Sequence, residues 1–317
     1  MHYIWCSLDE PNLLEDNDIP PVISTYLHEV LKAPALLVGC RAIGLGISKS
    51  CCEFDIIVLS NENHPNKVTK LGSHWMELLH IPLQSKVRKV ILDNVEEIVL
   101  NDRDDLMLSS LKNTDVNRKR RTTSKSAIAR KLLISCLMRH TEIEGMSQKS
   151  PIISSMLLKI SAYEIMQSLV YFSGLPGSPL HQMDLIRKTL EPNRFESESI
   201  SLALEIIGVE RASSSVLRRS IPSYSRLAAQ RYDRPLIEAK INFLYESGMT
   251  VDCYYYIGKM CSEILKSLDS NFWQTYGKLI QIGMDLSLDV EHIQRWNSQL
   301  TLAAKQLLRS HRTVIAG

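Results

Sequence analysis

The feature that most constrains the fold is a short apolar run ending in glycine, followed after a glycine-bearing loop by an apolar strand headed by two acids. The run ends at Gly39, and the strand over 54–59 is preceded by Glu53 and contains Asp55. Successive side chains of a strand point to opposite faces, so Glu53 and Asp55 are predicted to share one face. Two carboxylates beside a loop that offers backbone N–H groups can hold a hard divalent cation and the phosphates that it binds.

The composition of the chain indicates the general class of protein but does not indicate which partner it binds. The chain has 317 residues, of which 44% are hydrophobic and 23% charged, which is ordinary for two soluble globular domains. The net charge of +2 means that any basic function must be local. Neither a long apolar run nor a basic, apolar N-terminus occurs, so we expect no membrane partner and no secretory signal. The seven scattered cysteines lack a C-x-x-C pair, which favours reduced thiols in a cytoplasmic protein.

The order of the predicted elements indicates an α+β domain followed by an all-helical domain. We place the first domain over 1–112, a basic linker over 113–126 and the helical domain over 127–317, because the composition changes and the hydrophobic period is lost between them. In the first domain we predict a helix over 23–32 and strands over 35–38, 54–59, 67–71 and 74–83. In the last domain we predict helices over 127–140, 151–172, 179–190, 199–207, 236–245, 251–268 and 290–308.

The glycine and acid pattern resembles the signature of the nucleotidyltransferase superfamily, which includes polymerase beta and the minimal nucleotidyltransferases. The family has Gly-Ser, a glycine-bearing loop and Asp-x-Asp at the head of a strand, where this chain has Gly39-Cys40 and Glu53-Phe54-Asp55. The resemblance covers residues 20–100 and implies a nucleotidyltransferase-like mixed sheet with helices. It also implies transfer of a nucleoside monophosphate from a nucleoside triphosphate to an acceptor hydroxyl, with two Mg²⁺ ions.

The resemblance also implies which residues bind metal and nucleotide. Glu53 and Asp55 are expected to ligate the magnesium ions. Two positions depart from the family, since Cys40 stands in the place of serine and Glu53 in the place of aspartate. A thiol is a weaker hydrogen-bond donor than a hydroxyl, and the longer glutamate arm moves the cation. The positions implied to bind the nucleotide are Gly39, Cys40, Arg41, Gly44 and Gly46.

A third carboxylate is expected on a neighbouring strand. Glu77 is the one acid in the predicted strand over 74–83, which is expected to lie next to the strand over 54–59. Asp93 is the second candidate. In the family this group either helps to deprotonate the acceptor or ligates the catalytic metal, and the resemblance leaves both roles open for Glu77.

An alternative function is a catalytically degenerate nucleotidyltransferase-fold protein that serves as a nucleotide-binding, RNA-binding or interaction module. A solvated strand edge would also account for Glu53 and Asp55 without any metal. The acceptor stays open between a protein hydroxyl, an RNA end and a small molecule.

Local basic clusters are candidate contacts for RNA. The basic stretch over 118–131 can neutralise phosphates, although a solvated linker explains it equally. The tyrosines at 254–256 are expected to pack in the core, because successive helical residues diverge by about 100°. A second basic set in the helical half, with a solvated helix surface as its alternative, comprises Arg211, Arg218, Arg219, Arg226, Arg231 and Arg234.

Overall fold

The computed structural model describes residues 19–42, 48–60, 64–82, 98–101, 114–175, 177–188, 193–230, 232–266 and 270–311. The chain divides into two compact units, Met1–Ser124 and Lys125–Gly317. Among the described residues, the first unit contains a five-stranded sheet and the second contains helices without strands. The predicted α+β class is therefore confirmed. Within these same residues no helix is long and apolar enough to cross a bilayer.

The sheet of the first unit is mixed. Its strands lie in the order β3-β4-β2-β1-β5, with β2 and β4 parallel and the other neighbours antiparallel. The helix α1 precedes the sheet and continues as one π-helical segment, Tyr26–Leu31. The elements are α1 (Pro21–Thr25), β1 (Ala35–Val38), β2 (Phe54–Ser60), β3 (Lys67–Leu71), β4 (His74–Pro82) and β5 (Ile98–Asn101).

One face of the sheet packs against the N-terminal helical segment. Phe54, Ile56 and Val58 of β2 are buried in one cluster with Ile23 and Leu27 of the N-terminal helical segment. Each such side chain contributes about 1.5–3 kcal/mol when it is fully buried, so this face fixes the register of β2. Residues of odd number in β2 and β4 therefore point to the opposite face.

Within its described residues the second unit is helical, and its first helix begins before Lys125. The bounds of the nine described helices are α2 (Thr114–Met146), α3 (Pro151–Phe172), α4 (Gln182–Lys188), α5 (Arg194–Ile207), α6 (Ser214–Ala228), α7 (Arg234–Glu246), α8 (Thr250–Leu265), α9 (Ser270–Gly283) and α10 (Val290–Ser310).

From Thr114 onward the predicted linker over 113–126 is helical, because that segment forms the first part of α2. The segment lacks an apolar period, which is the signal that predicts helices. Its lysines and arginines nevertheless have high intrinsic helix propensity. The boundary between the compact units lies inside the predicted linker, between Ser124 and Lys125.

A buried lysine joins the ends of two helices in the second unit. The Nζ of Lys159 donates to the carbonyl oxygens of Ile207 at 2.7 Å, Met284 at 2.7 Å and Asp285 at 3.0 Å. Ile207 ends α5, and the other two residues follow α9 directly. Carbonyls at helix ends lack partners within the helix, so one ammonium group satisfies three of them. Burial lowers the pKa of Lys159 to about 7, and the carboxylate of Asp285 acts in the opposite direction.

Candidate functional site

Three carboxylates meet on the sheet face opposite α1. Asp55 of β2 is the register partner of Glu77 of β4, and Glu53 lies two residues before Asp55. One oxygen atom of each of the three carboxylates lies within 4.8 Å of the other two. All three side chains are partly exposed, so water and ions can reach them.

The prediction that the strand of Asp55 lies next to the strand of Glu77 is confirmed. The β2 strand lies beside β4, with Phe54 opposite Met76 and Asp55 opposite Glu77. A parallel pair with this register brings equivalent side chains of the two strands to the same level of the same face. Asp93, the second candidate, lies outside the described residues.

The cluster has the chemistry of a site for a hard divalent cation. Carboxylates at this separation repel one another, and a bound divalent cation relieves that repulsion. Carboxylate oxygens are the ligands that Mg²⁺ and Ca²⁺ prefer, and Mg²⁺ usually takes only a few of them and keeps several waters. A partly exposed set of three carboxylates fits that preference.

Gly39 contacts the site through the aspartate. It follows β1 directly and has a φ of +76°, a conformation that side-chain-bearing residues rarely adopt. A Cβ atom at this position would lie 2.2 Å from the Oδ2 of Asp55. Because Gly39 has no side chain, the Asp55 carboxylate can occupy the adjacent space. Its predicted approach to a triphosphate stays a prediction.

Replacing Gly39 with alanine is expected to displace the Asp55 carboxylate and weaken divalent-cation binding about tenfold. The backbone strain at positive φ costs about 1–2 kcal/mol in addition. Gly72→Ala is the matched control, since Gly72 has a φ of +60° and an added Cβ meets nothing within 4 Å. Mn²⁺ titration and urea unfolding of both variants separate the two effects. Equal Mn²⁺ affinity in the two variants would contradict this role of Gly39.

The side chains of Cys40 and Arg41 are engaged within the loop that joins β1 and β2. A hydrogen bond with the Cys52 thiol and burial both raise the pKa of Cys40 far above its ordinary value, so the thiol is neutral. The Arg41 Nη2 donates to the carbonyl of Cys52 at 2.7 Å, and its guanidinium lies 4.1 Å from the centroid of the Phe54 ring. Their predicted contact with nucleotide stays a prediction. Gly44 and Gly46 lie outside the described residues.

Several of the basic candidates serve the packing of the helical unit. Lys125 is buried and its Nζ donates to the carbonyl of Gly174 at 2.7 Å, while Arg130 donates to the carbonyl of His311. These two members of the stretch over 118–131 thus make hydrogen bonds within the helical unit, and the predicted contact of the stretch with RNA stays a prediction. The exposed side chain of Lys131 is compatible with the prediction.

The second basic set, in the helical half, contains arginines that form ion pairs and arginines that are exposed. Arg211 forms an ion pair with Asp285 at 2.8 Å, and Arg234 forms one with Glu238 at 2.8 Å. The tyrosines over 254–256 are buried, which confirms the prediction that they pack in the core. Exposed arginines of the set are found on α6, at positions 218, 219 and 226.

An aromatic residue and a lysine near the carboxylates are not among the site residues predicted from sequence. Trp75 lies two residues before Glu77 on β4, so the two side chains share a face. Lys70 of β3 is the register partner of Trp75, and its Nζ lies 5.3 Å from the centroid of the Trp75 ring. The alternation of residues along the predicted strand over 74–83 is the signal that places Trp75 beside Glu77.

Comparisons with protein-family models, with curated proteins and with solved structures gave no match. The chemistry of the site therefore follows from the side chains that meet there.

Proposed function

We propose that the chain is a metal-dependent nucleotidyltransferase, which transfers a nucleoside monophosphate from a nucleoside triphosphate to an acceptor hydroxyl. The observation that carries the proposal is the convergence of Glu53, Asp55 and Glu77, whose carboxylate oxygens lie within 4.8 Å of one another. The sequence alone indicates the acidic pair and its strand context, and the third carboxylate stands on the neighbouring strand. The mixed sheet that presents these three residues is compatible with a nucleotidyltransferase-like fold.

The residues of the cluster fit a divalent cation by their donor atoms, which are all carboxylate oxygens. In this proposal Glu53 and Asp55 hold Mg²⁺, and Glu77 stands at the side where the acceptor arrives. Bound Mg²⁺ supplies neutralisation of the triphosphate charge and a lower pKa for the attacking hydroxyl. Gly39 preserves the position of Asp55, because any larger residue would occupy the space of its carboxylate.

The transfer itself exchanges one phosphorus–oxygen bond for another. The acceptor oxygen attacks the α-phosphorus, the bond between the α-phosphorus and the bridging oxygen breaks, and pyrophosphate leaves. The proton of the acceptor hydroxyl passes to the carboxylate of Glu77 in the proposed mechanism. Positioning and electrostatic stabilisation supply most of the rate enhancement in such reactions.

A non-catalytic role in nucleotide or RNA binding is the second candidate, and the loop between β1 and β2 favours it. The Cys40 thiol is buried beside Cys52, and the Arg41 guanidinium contacts Phe54. In these positions the Cys40 thiol is neutral, and the Nε and Nη2 of Arg41 already donate to the carbonyl of Cys52. A chain of this kind would retain the sheet and the acidic cluster but would release no pyrophosphate.

Pyrophosphate release tests the proposal without knowledge of the acceptor. The full chain is incubated with Mg²⁺ and each of the common nucleoside triphosphates in turn, with the label on the α-phosphate. Asp55→Ala is expected to lower both pyrophosphate release and transfer of the label on the order of 100-fold. Equal release by the two proteins, or release that persists when Mg²⁺ is chelated, would reject the catalytic assignment.

A further inference from the structure

We infer that Trp75 and Lys70 bind the 3′ end of a single-stranded nucleic acid, so that its terminal hydroxyl is the acceptor of the transfer. This inference rests on the proposed function, because an acceptor has meaning only if nucleotide is transferred. It chooses one acceptor from the three that the sequence leaves open. Three observations support it, namely the position of the pair beside the carboxylates, the chemistry of the two side chains and the exposure of both.

The register of the sheet places the pair next to the acidic cluster. Phe54 is opposite Met76 in the parallel pair, and Glu53 and Trp75 are the residues that directly precede this register pair. Glu77 follows Trp75 by two residues on the same strand and the same face. A molecule that contacts the Trp75 ring therefore lies beside the carboxylate assigned to deprotonate the acceptor.

The β3 strand contributes the positive charge from the edge of the sheet. It pairs with β4 and ends the strand order on that side. Lys70 is exposed, whereas Trp75 is partly exposed, so both can be reached from solvent. The Lys70 Nζ lies 5.3 Å from the centroid of the Trp75 ring, which is a cation–π arrangement.

An aromatic ring beside a lysine side chain complements the base and the phosphate, the two groups that repeat along a nucleic acid strand. A base stacks on an aromatic face whatever its sequence, and a lysine neutralises the neighbouring phosphate. Stacking of a base is worth more than an exposed cation–π contact. A strand that stacks on Trp75 therefore displaces Lys70 from the ring, and the ammonium becomes available to a phosphate.

The charge pattern favours a nucleic acid over an uncharged acceptor. The three carboxylates alone repel phosphates, and the cations that they are proposed to hold remove that repulsion. Lys70 then supplies a positive charge opposite Trp75, which lies two residues from Glu77 along β4. An uncharged acceptor offers no phosphate to that ammonium group.

Fluorescence anisotropy of labelled oligonucleotides tests the binding surface with the full chain and Mg²⁺. Trp75→Ala is expected to weaken binding about tenfold, and Trp75→Phe, which keeps a ring, is expected to stay within about threefold. Lys70→Gln is expected to weaken binding about threefold and to reduce its salt dependence. Lys67→Gln is the matched control, because Lys67 is exposed on the same strand but faces Leu78 and the other side of the sheet.

RNA and DNA oligonucleotides of one sequence identify which nucleic acid the surface takes. Tighter binding of RNA assigns a contact to the 2′-hydroxyl, whereas equal binding assigns recognition to bases and phosphates; either result supports the inference when it depends on Trp75. An oligonucleotide with a blocked 3′-hydroxyl is expected to bind normally and to receive no label from the nucleoside triphosphate.

The possible results separate this inference from the proposed function. Oligonucleotide binding that is equal in wild type and Trp75→Ala overturns the inference, even when pyrophosphate release is intact. Transfer of label to a protein or small molecule, with oligonucleotides left unlabelled, overturns it as well. Binding that depends on Trp75 without any pyrophosphate release overturns the proposed function and with it the assignment of the 3′ end as acceptor, leaving only a binding surface.

Discussion

Replacing Glu77 with glutamine is expected to slow nucleotide transfer by about 10²–10⁴-fold, the usual contribution of a general base. The substitution keeps the size and shape of the side chain but removes its charge and its ability to accept a proton. Glu77 is partly exposed and stands opposite Asp55 in the sheet, so the strand pairing should survive. Steady-state kinetics of pyrophosphate release measures the effect.

The Mg²⁺ dependence of Glu77→Gln decides between the two roles that sequence leaves open. If Glu77 accepts the proton, kcat falls and the variant keeps its apparent affinity for Mg²⁺. If Glu77 is a metal ligand, the Mg²⁺ concentration needed for half-maximal rate rises about 10–100-fold. Saturating Mg²⁺ then restores part of the rate.

The matched control for this substitution is Glu29→Gln. Glu29 is exposed on the π-helical segment of the same unit, and its replacement makes the same change of charge outside the acidic cluster. We expect its rate and its Mg²⁺ dependence to equal those of the wild type. A rate loss in Glu29→Gln as large as in Glu77→Gln would show that net charge, and not the cluster, controls the reaction.

The strands β1 and β2 can be predicted from sequence because each is a short apolar run that is buried almost throughout. Phe54, Ile56 and Val58 fill the core under α1, and their alternation with Asp55 is enough to assign that carboxylate to the other face. The turn at Gly72 is marked by its glycine, which has a φ of +60°. The same reasoning leads to Glu77, since only one acid occurs in the neighbouring strand.

The contacts of the loop residues cannot be predicted in this way, because they depend on atoms brought together by tertiary structure. No sequence pattern indicates that Arg41 bonds the carbonyl of Cys52 or that Gly39 stands against Asp55. A motif specifies residue types and spacing but not which neighbour each side chain meets. The roles inferred from resemblance are therefore the part that needs mutational tests.

Two helices of the second unit, α6 and α9, are not predicted from the sequence. The α6 helix contains Pro222, and proline inside a helix removes a hydrogen bond and costs about 3 kcal/mol. Tertiary burial of Leu217, Tyr224 and Leu227 outweighs that cost. The α9 helix (Ser270–Gly283) is likewise not among the predicted elements. Propensity alone is a weak guide where packing decides the outcome.

Replacing Lys159 with methionine is expected to lower the free energy of unfolding of the helical unit by about 2–4 kcal/mol, the sum expected for three buried hydrogen bonds. Methionine fills a similar volume but offers no donor to the carbonyls of Ile207, Met284 and Asp285. The carbonyl of Ile207 keeps a hydrogen bond from the Tyr254 hydroxyl at 3.2 Å, and that of Asp285 keeps one from the Arg211 Nη2 at 3.2 Å. The loss is therefore greatest at the buried carbonyl of Met284. A loss of this size is a large part of the roughly 5–15 kcal/mol that stabilises a typical domain. Urea unfolding followed by far-ultraviolet circular dichroism measures it.

Lys305→Met provides the comparison, since Lys305 is exposed on α10 and its replacement should change stability by no more than about 0.5 kcal/mol. Asp285 retains its ion pair with Arg211 and its hydrogen bond from Tyr254 at 2.9 Å in the Lys159 variant, so the variant removes the ammonium contacts without leaving that carboxylate alone. Equal unfolding midpoints for Lys159→Met and Lys305→Met would mean that packing of the methionine compensates for three lost hydrogen bonds. The ends of α5 and α9 would then be joined by apolar contacts, and the buried ammonium would add nothing to the stability of this unit.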